Sequence, residues 1–238
     1  MYGWCGGTPA RLLAEVYDPP PRLVAWELDP RVIDACRLGM GLEEVCRAAG
    51  GLQVQLGNPL APAASAPGGF AAVMVDLFID GKLLPQLMDA NVWRTVRSRL
   101  ADPAKGRVMA HLGPASDEQG RLVPQTVVAL NAMARAFDGQ VYYIDPPENS
   151  QLDVMALTGP LPDKEEWAAA VGPMLAPYTV DWELWTVVDE SDFRDAAQYD
   201  EEDGEEDEQQ PEDEGEEEQE QGRQQREWGD QWGAERRR

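Results

Sequence analysis

The chain has 238 residues and a formal net charge of −24, enough for one domain of ordinary size and a tail. Of its 44 acidic residues, 22 lie in residues 189–238 with 6 of the 20 basic ones, which leaves −16 there and −8 in residues 1–188. Nucleic acid backbone calls for a basic face and a bilayer for roughly 20 apolar residues in a row, and neither is present, so neither partner is expected.

The opening stretch, Met1 to Asp29, reads as a glycine-rich turn, a short helix, a strand and an acid. Gly3, Gly6 and Gly7 allow a tight bend and a close approach to a ligand. Thr8 followed by Pro9 is a cap-plus-proline helix start, and Pro19 to Pro21 stop the helix. Leu23 to Trp26 is an apolar strand that ends at Glu27. An acid about 20 residues after such glycines holds ribose hydroxyls in mononucleotide-binding units. A solvated strand-end acid is the plainer reading of Glu27. Only Met1 and Tyr2 stand before the turn, so the first strand is expected to be shortened, with a targeting leader lost if one preceded it.

Asp29-Pro30 starts a second helix, over Arg31 to Arg37, with Val32, Ile33 and Cys36 facing inward. Leu42 to Ala49 is a further helix. Leu52 to Leu56 alternates as a strand and closes at Gly57-Asn58-Pro59. Phe70 to Phe78 is a near-continuous apolar run broken at Asp76, which suits a buried parallel strand. Ala90 to Leu100 is helical, with Val92, Trp93, Val96 and Leu100 in one stripe, and Arg107 to Leu112 is another strand. Val123 to Phe137 is an amphipathic helix. Gln140 to Ile144 and Leu152 to Thr158 are strands joined too closely for a parallel crossover, so they pair antiparallel. Asp163 to Val171 is a helix, and Trp182 and Trp185 pack the segment Pro177 to Val188 on the domain.

Beyond Asp189 glutamate, aspartate, glutamine and glycine dominate. Such a segment cannot bury enough apolar surface to offset its ordering entropy and is expected to be disordered. The division is a domain over 1–188 and an acidic tail over 189–238. The expected fold is a doubly wound, mostly parallel α/β sheet with a reversed strand at or near one edge. Ligands of such sheets sit at the carboxyl ends of the strands, where the glycine turn, Glu27, Asn58 and Asp76 gather. Three scattered cysteines make no disulfide framework and no metal site, and they fit a reduced intracellular compartment, cytoplasmic or organellar.

The turn Gly3-Trp4-Cys5-Gly6-Gly7-Thr8 does not fit the dinucleotide fingerprint G-x-G-x-x-G. It resembles the G-x-G-G-G-T turn of the spermidine synthase-like branch of class I S-adenosylmethionine (SAM) methyltransferases. The resemblance continues through VAWELDPRVIDACR, LQVQLGNPL, FAAVMVDLFIDG and GRVMAHLG, in the order of that family, over roughly Gly3 to Gly113. The reversed strand also fits these methyltransferases and not nicotinamide-binding sheets. The resemblance implies SAM, or decarboxylated SAM, as the bound small molecule. Gly3, Gly6 and Gly7 then pass its tail, Glu27 binds the ribose, and Asn58, where the family carries an acid, meets the adenine amine. Asn58 reads equally well as a turn residue before Pro59.

Asp76 is the catalytic candidate, because the resembled aminopropyltransferases end this strand in D-S-S-D and use the first acid to deprotonate the attacking amine. Here Leu77 and Phe78 replace the serines and the second acid, Asp80, comes one position late. Asp76 can instead orient the methionine part of the ligand or cap the next helix. Cys5 stands at a family glycine. His111, the only histidine, reads as a polar strand end with no visible partner. The expectation is a SAM-binding methyltransferase-like protein with an unidentified acceptor. The alternatives are an aminopropyltransferase and an inactive scaffold whose acidic tail binds a basic protein. An arginine- and serine-rich leader upstream of Met1 would point to a plastid or another organelle.

Overall fold

The computed structural model describes residues 1–114, 123–144, 153–171 and 184–188, all within the unit Met1–Ala197. The elements in chain order are α1 (Thr8–Val16), β1 (Val24–Glu27), α2 (Pro30–Gly39), α3 (Leu42–Ala48), β2 (Gln53–Leu56) and β3 (Ala72–Val75). Next come β4 (Phe78–Ile79), β5 (Lys82–Leu83), α4 (Ala90–Ser98), β6 (Arg107–Pro114) and α5 (Pro124–Ala136). β7 (Val141–Ile144), β8 (Asp153–Thr158), α6 (Lys164–Ala170) and β9 (Trp185–Val187) complete the set. The expected acidic tail, the joint between β7 and β8, and Trp182 lie outside the described residues.

Two parallel ladders, β2–β1 and β3–β6, are joined by the first residues of the chain. Tyr2 bridges Trp26 on one side and Val75 on the other, both in parallel. Its amide donates to Met74 O at 2.7 Å and its carbonyl accepts from Asp76 N at 2.8 Å. Gly3 N donates to Trp26 O at 3.1 Å. Residues 1–3 therefore lie between β1 and β3 and join them through the single bridging residue Tyr2.

On the far side of β6 the sheet changes direction. β8 pairs antiparallel with both β6 and β7, and β9 pairs antiparallel with β7. β8 thus lies inside the sheet, between two strands that run the other way, and β9 at the edge runs in the same direction as β8, so two strands are reversed where one was expected. Residues 145–152 are too few for a parallel crossover, which forces the reversal.

Three local expectations change. Gly7, in a left-handed conformation, is the residue that precedes α1, and Thr8 sits inside the helix with no side-chain cap made. The apolar run at 70–78 is not one strand. Pairing with β6 ends at Val75, Phe70 makes a single bridge to Leu100, and Phe78 belongs to a separate small hairpin. That hairpin turns at Asp80 (φ 51°) and Gly81 (φ 74°), the two positive φ values a tight type I′ turn demands. Val32 is exposed, while Ile33 and Cys36 face inward as expected.

The core follows the pattern. Trp93, Val96 and Leu100 of the α4 stripe are buried with Val73, Val75, Val108, Ala110 and Leu112 of β3 and β6. Trp93 also donates its ring N–H to Leu87 O at 2.6 Å, so its polar atom is satisfied inside. A second cluster around Trp4, Ala25, Ile33 and Leu52 holds α2 and α3 against β1 and β2. Asp29 caps α2 through Arg31 N at 2.8 Å. Among the described residues no helix is long and apolar enough to cross a membrane.

Candidate functional site

Register decides which side chains meet. Tyr2 pairs with Trp26 and with Val75, so the next residues on those three strands, Gly3, Glu27 and Asp76, stand side by side. Glu27 pairs with Leu56, which places Gly57 and Asn58 just past the same level. Val75 pairs with Ala110, so Asp76 comes beside His111. Neighbouring strands lie about 4.8 Å apart, so Glu27 and Asp76 flank Gly3 with about 10 Å between their backbones. All of these residues are at the carboxyl ends of the parallel strands, the end where such sheets bind ligands.

The glycine turn leaves Gly3 as a single 3-10 turn, Cys5–Gly7. Trp4 points down into the core, fully buried, with its ring N–H donated to Cys36 Sγ at 3.2 Å. Gly7 has φ +83°, and a Cβ there would lie 2.5 Å from the Trp4 ring. Gly6 has φ +64°, and a Cβ there would meet the Met40 methyl at 2.7 Å. Gly7 needs glycine for backbone conformation and for space, whereas Gly6 needs it for conformation, since the exposed Met40 side chain can swing away. The backbone N–H of Trp4 donates to Glu27 Oε2 at 3.3 Å, and Asp29 N donates to Glu27 Oε1 at 2.9 Å. The Glu27 carboxylate therefore faces the turn, with one oxygen fixed from each side. A carboxylate has about four lone-pair positions, so acceptor capacity remains for hydroxyls.

Asn58 Oδ1 accepts from Leu60 N at 2.8 Å, closing a local turn. The loop behind it is fastened from inside by Arg99, 8% exposed. Its guanidinium donates to Tyr2 Oη (2.8 Å), Pro59 O (2.6 Å), Leu60 O (3.0 Å) and Ala61 O (2.8 Å). Burial raises the Tyr2 phenol pKa, against the opposing pull of Arg99.

The residue that sequence reasoning misjudged is His111, which has partners on both sides. Its Nδ1 lies 2.9 Å from Asp76 Oδ1 and its Nε2 lies 2.6 Å from Asp153 Oδ2. Asp153 opens β8, and on that strand it falls two residues from Met155, the partner of His111, and so on the same face. A β-bulge between His111 and Pro114, with Gly113 at φ +82°, shifts the register, and pairing resumes between Pro114 and Asp153. Phe78 of the small hairpin covers the ring, with centroids 4.8 Å apart. The hydrogen bond to Asp76 raises the imidazole pKa most, the one to Asp153 adds to it, and burial opposes both. Each nitrogen is bonded directly to its own carboxylate, so the three groups do not converge on a common point. Among the described residues no group of three or more His, Cys, Asp or Glu could hold a metal ion.

Comparison with known proteins separates sequence from shape. No family model and no curated protein matches the chain. Solved structures do. Human methyltransferase-like protein 13 in complex with SAH is matched at 14% identity and TM-score 0.52, over 92% of this chain and 86% of that one. The fold is that of the class I SAM-dependent methyltransferases. A probable spermidine synthase from Corynebacterium glutamicum is matched at 20% identity and TM-score 0.52, over 65% of this chain and 52% of that one. Spermidine synthase in complex with the transition-state analogue AdoDATO is matched at 15% identity and TM-score 0.47, over 66% and 50%. The chain thus spans about half the length of the spermidine synthases it resembles. The reversed β8, expected from the short joint before it, agrees with this fold.

Proposed function

We propose that the chain binds SAM across the row Glu27–Gly3–Asp76 and directs its methyl group to an acceptor that enters beside Asp76. The observation that supports this most is the Glu27 carboxylate, held against the amide of the glycine turn on the strand next to Gly3. A carboxylate able to accept from two hydroxyls thus stands beside Gly3. Gly3, Gly6 and Gly7 let the ligand tail pass close to the main chain. Glu27 takes the ribose hydroxyls. Asn58, with one lone pair of its oxygen engaged by Leu60 N, offers its amide group to the adenine edge.

When bound, SAM supplies a methyl group on a positively charged sulfur, which a nucleophile displaces. The chain supplies position: its strand ends hold the nucleophile in line, which is where most of the rate gain of such a transfer arises. Asp76, at a strand end and 37% exposed, accepts the proton that the acceptor loses. Methyl transfer is preferred to aminopropyl transfer because Leu77 and Phe78 follow Asp76, and Phe78 packs on His111 where the resembled polyamine enzymes carry serines.

Calorimetric titration with SAM, decarboxylated SAM and NAD tests the reading. SAM is expected to bind and NAD is not. Glu27→Gln removes a charged hydrogen-bond acceptor and is expected to weaken SAM by roughly 10- to 100-fold. Heat with NAD alone, or an unchanged SAM affinity in the Glu27 variant, would overturn it.

A further inference from the structure

The sheet ends on one side at β2, which pairs with β1 alone. Gln53 N donates to Leu23 O at 3.4 Å and Gly57 N donates to Glu27 O at 2.9 Å. Backbone direction alternates along a strand, so Gln53, Gln55 and Gly57 aim their N–H and C=O groups at β1, while Val54 and Leu56 aim theirs away from it. Among the described residues no backbone group meets Val54 or Leu56 from that outer side. Their N–H and C=O groups stand open along the edge.

The side chains do not guard this edge. Edge strands are ordinarily blunted by charge, proline or a bulge. β2 has none of these: it reads Gln-Val-Gln-Leu, its register with β1 is unbroken, and no charged residue stands between Arg47 and Asp76. Leu56 is 61% exposed, and Leu28, which follows its partner Glu27, is 59% exposed. The opposite edge differs. β9 has three residues, and the sequence places Glu183 before it and Asp189 and Glu190 after it.

The strand is complementary to a copy of itself. Set antiparallel about a two-fold axis through Gln55, Val54 of one copy faces Leu56 of the other, and each such pair exchanges both of its open backbone bonds. Val54 and Leu56 share a face, so the two apolar pairs cover one another, the exposed Leu56 included. Gln55 faces Gln55 as a pair of amides, and Gln53 faces Gly57. No charge opposes a like charge, and in a chain of net charge −24 an uncharged edge is where a second copy approaches at least cost.

We propose that two copies of this chain pair antiparallel through β2 about a two-fold axis at Gln55, making one sheet continuous across both. The contact uses the same patch of each copy and closes at two. It stands apart from the SAM-binding reading. It also borders the candidate ligand site: Gln53 of the second copy comes across from Gly57, beside Asn58, on the strand whose Leu56 pairs with Glu27.

The test is sedimentation velocity of the full chain over a concentration series, with substitutions at the axis. A shift from monomer to dimer is expected in the micromolar range. Gln55→Glu and Gln55→Lys each set like charges across the axis and are expected to weaken the dimer about 5-fold or more, while an equimolar mixture of the two regains it. Gln55 is exposed, so these changes leave the fold intact, which circular dichroism checks. Residues at the axis lie about 4.5 Å apart between Cα atoms, within disulfide reach. Gln55→Cys is therefore expected to link two chains under oxidised glutathione. Gln53→Cys, whose two copies stand roughly 13 Å apart in this register, is not. A monomer at every concentration would overturn the proposal and leave the edge to a strand of another protein. A dimer indifferent to both charges at Gln55, or one linked as readily through position 53, would overturn it as well.

Discussion

Replacing Gly7 with alanine isolates the physical demand of the glycine turn. Gly7 has φ +83°, and a residue with a Cβ pays about 1–2 kcal/mol in that left-handed region. The new methyl would also lie 2.5 Å from Cζ2 and 2.8 Å from Cη2 of Trp4. Trp4 cannot step aside, because it is fully buried and its ring is tied to Cys36 Sγ. Overpacking of a fixed core costs about 1–3 kcal/mol. Alanine returns about 0.4–1 kcal/mol by restricting the unfolded chain. The net loss is about 2–4 kcal/mol. Gly81 is the control: its φ is +74°, yet nothing lies within 4 Å of its would-be Cβ, so Gly81→Ala is expected to cost about 1 kcal/mol or less. Urea unfolding followed by tryptophan fluorescence reads both. Thermal unfolding should show a fall of about 5–15 °C for the Gly7 variant. Equal unfolding midpoints for the two variants would refute the argument, because only the crowding by Trp4 separates them.

Two further measurements bear on the strand ends. Because its carboxylate partners raise the folded pKa of His111 above 6.5, its stabilising effect is complete below about pH 6.5 and is lost as pH rises through the raised value. The stability difference between the native chain and His111→Gln should therefore shrink with rising pH above 6.5, and a difference constant from pH 6 to 9 would contradict the pairing. Arg99→Met strands the Tyr2 hydroxyl and the carbonyls of Pro59, Leu60 and Ala61, at a cost of at least about 3 kcal/mol in urea unfolding. A loss under about 1 kcal/mol would show that the loop does not depend on this guanidinium.

Much of the sheet was legible because its signals are local. Proline and glycine marked the ends of α1 and α2, and the apolar stripe of α4 pointed to Trp93, Val96 and Leu100 as core, with Val92 half-buried beside them. The antiparallel pairing of β7 and β8 followed from the shortness of residues 145–152 alone. The row Glu27, Gly3 and Asp76 was also foreseen, since each closes a strand at the same end of a parallel sheet. The small hairpin was missed although Asp80-Gly81 between apolar residues announces it; the apolar run before it read as one long strand and masked the turn. His111 was misjudged for a different reason. Its partners are 35 and 42 positions away, and no local pattern says that Val75 pairs with Ala110 or that Met155 pairs with His111. Once that register is known, the meeting of Asp76, His111 and Asp153 follows from counting along the strands.

The backward course of β8 has a wider meaning for what this architecture can build. A strand that runs with its neighbours delivers to the ligand end only the residues with which it finishes. β8 delivers the residue with which it starts, so Asp153 and Asp76 come to one place although their strands run in opposite directions. A uniformly parallel sheet has no strand beside β6 that could begin there, and so could not bracket one imidazole between two such carboxylates.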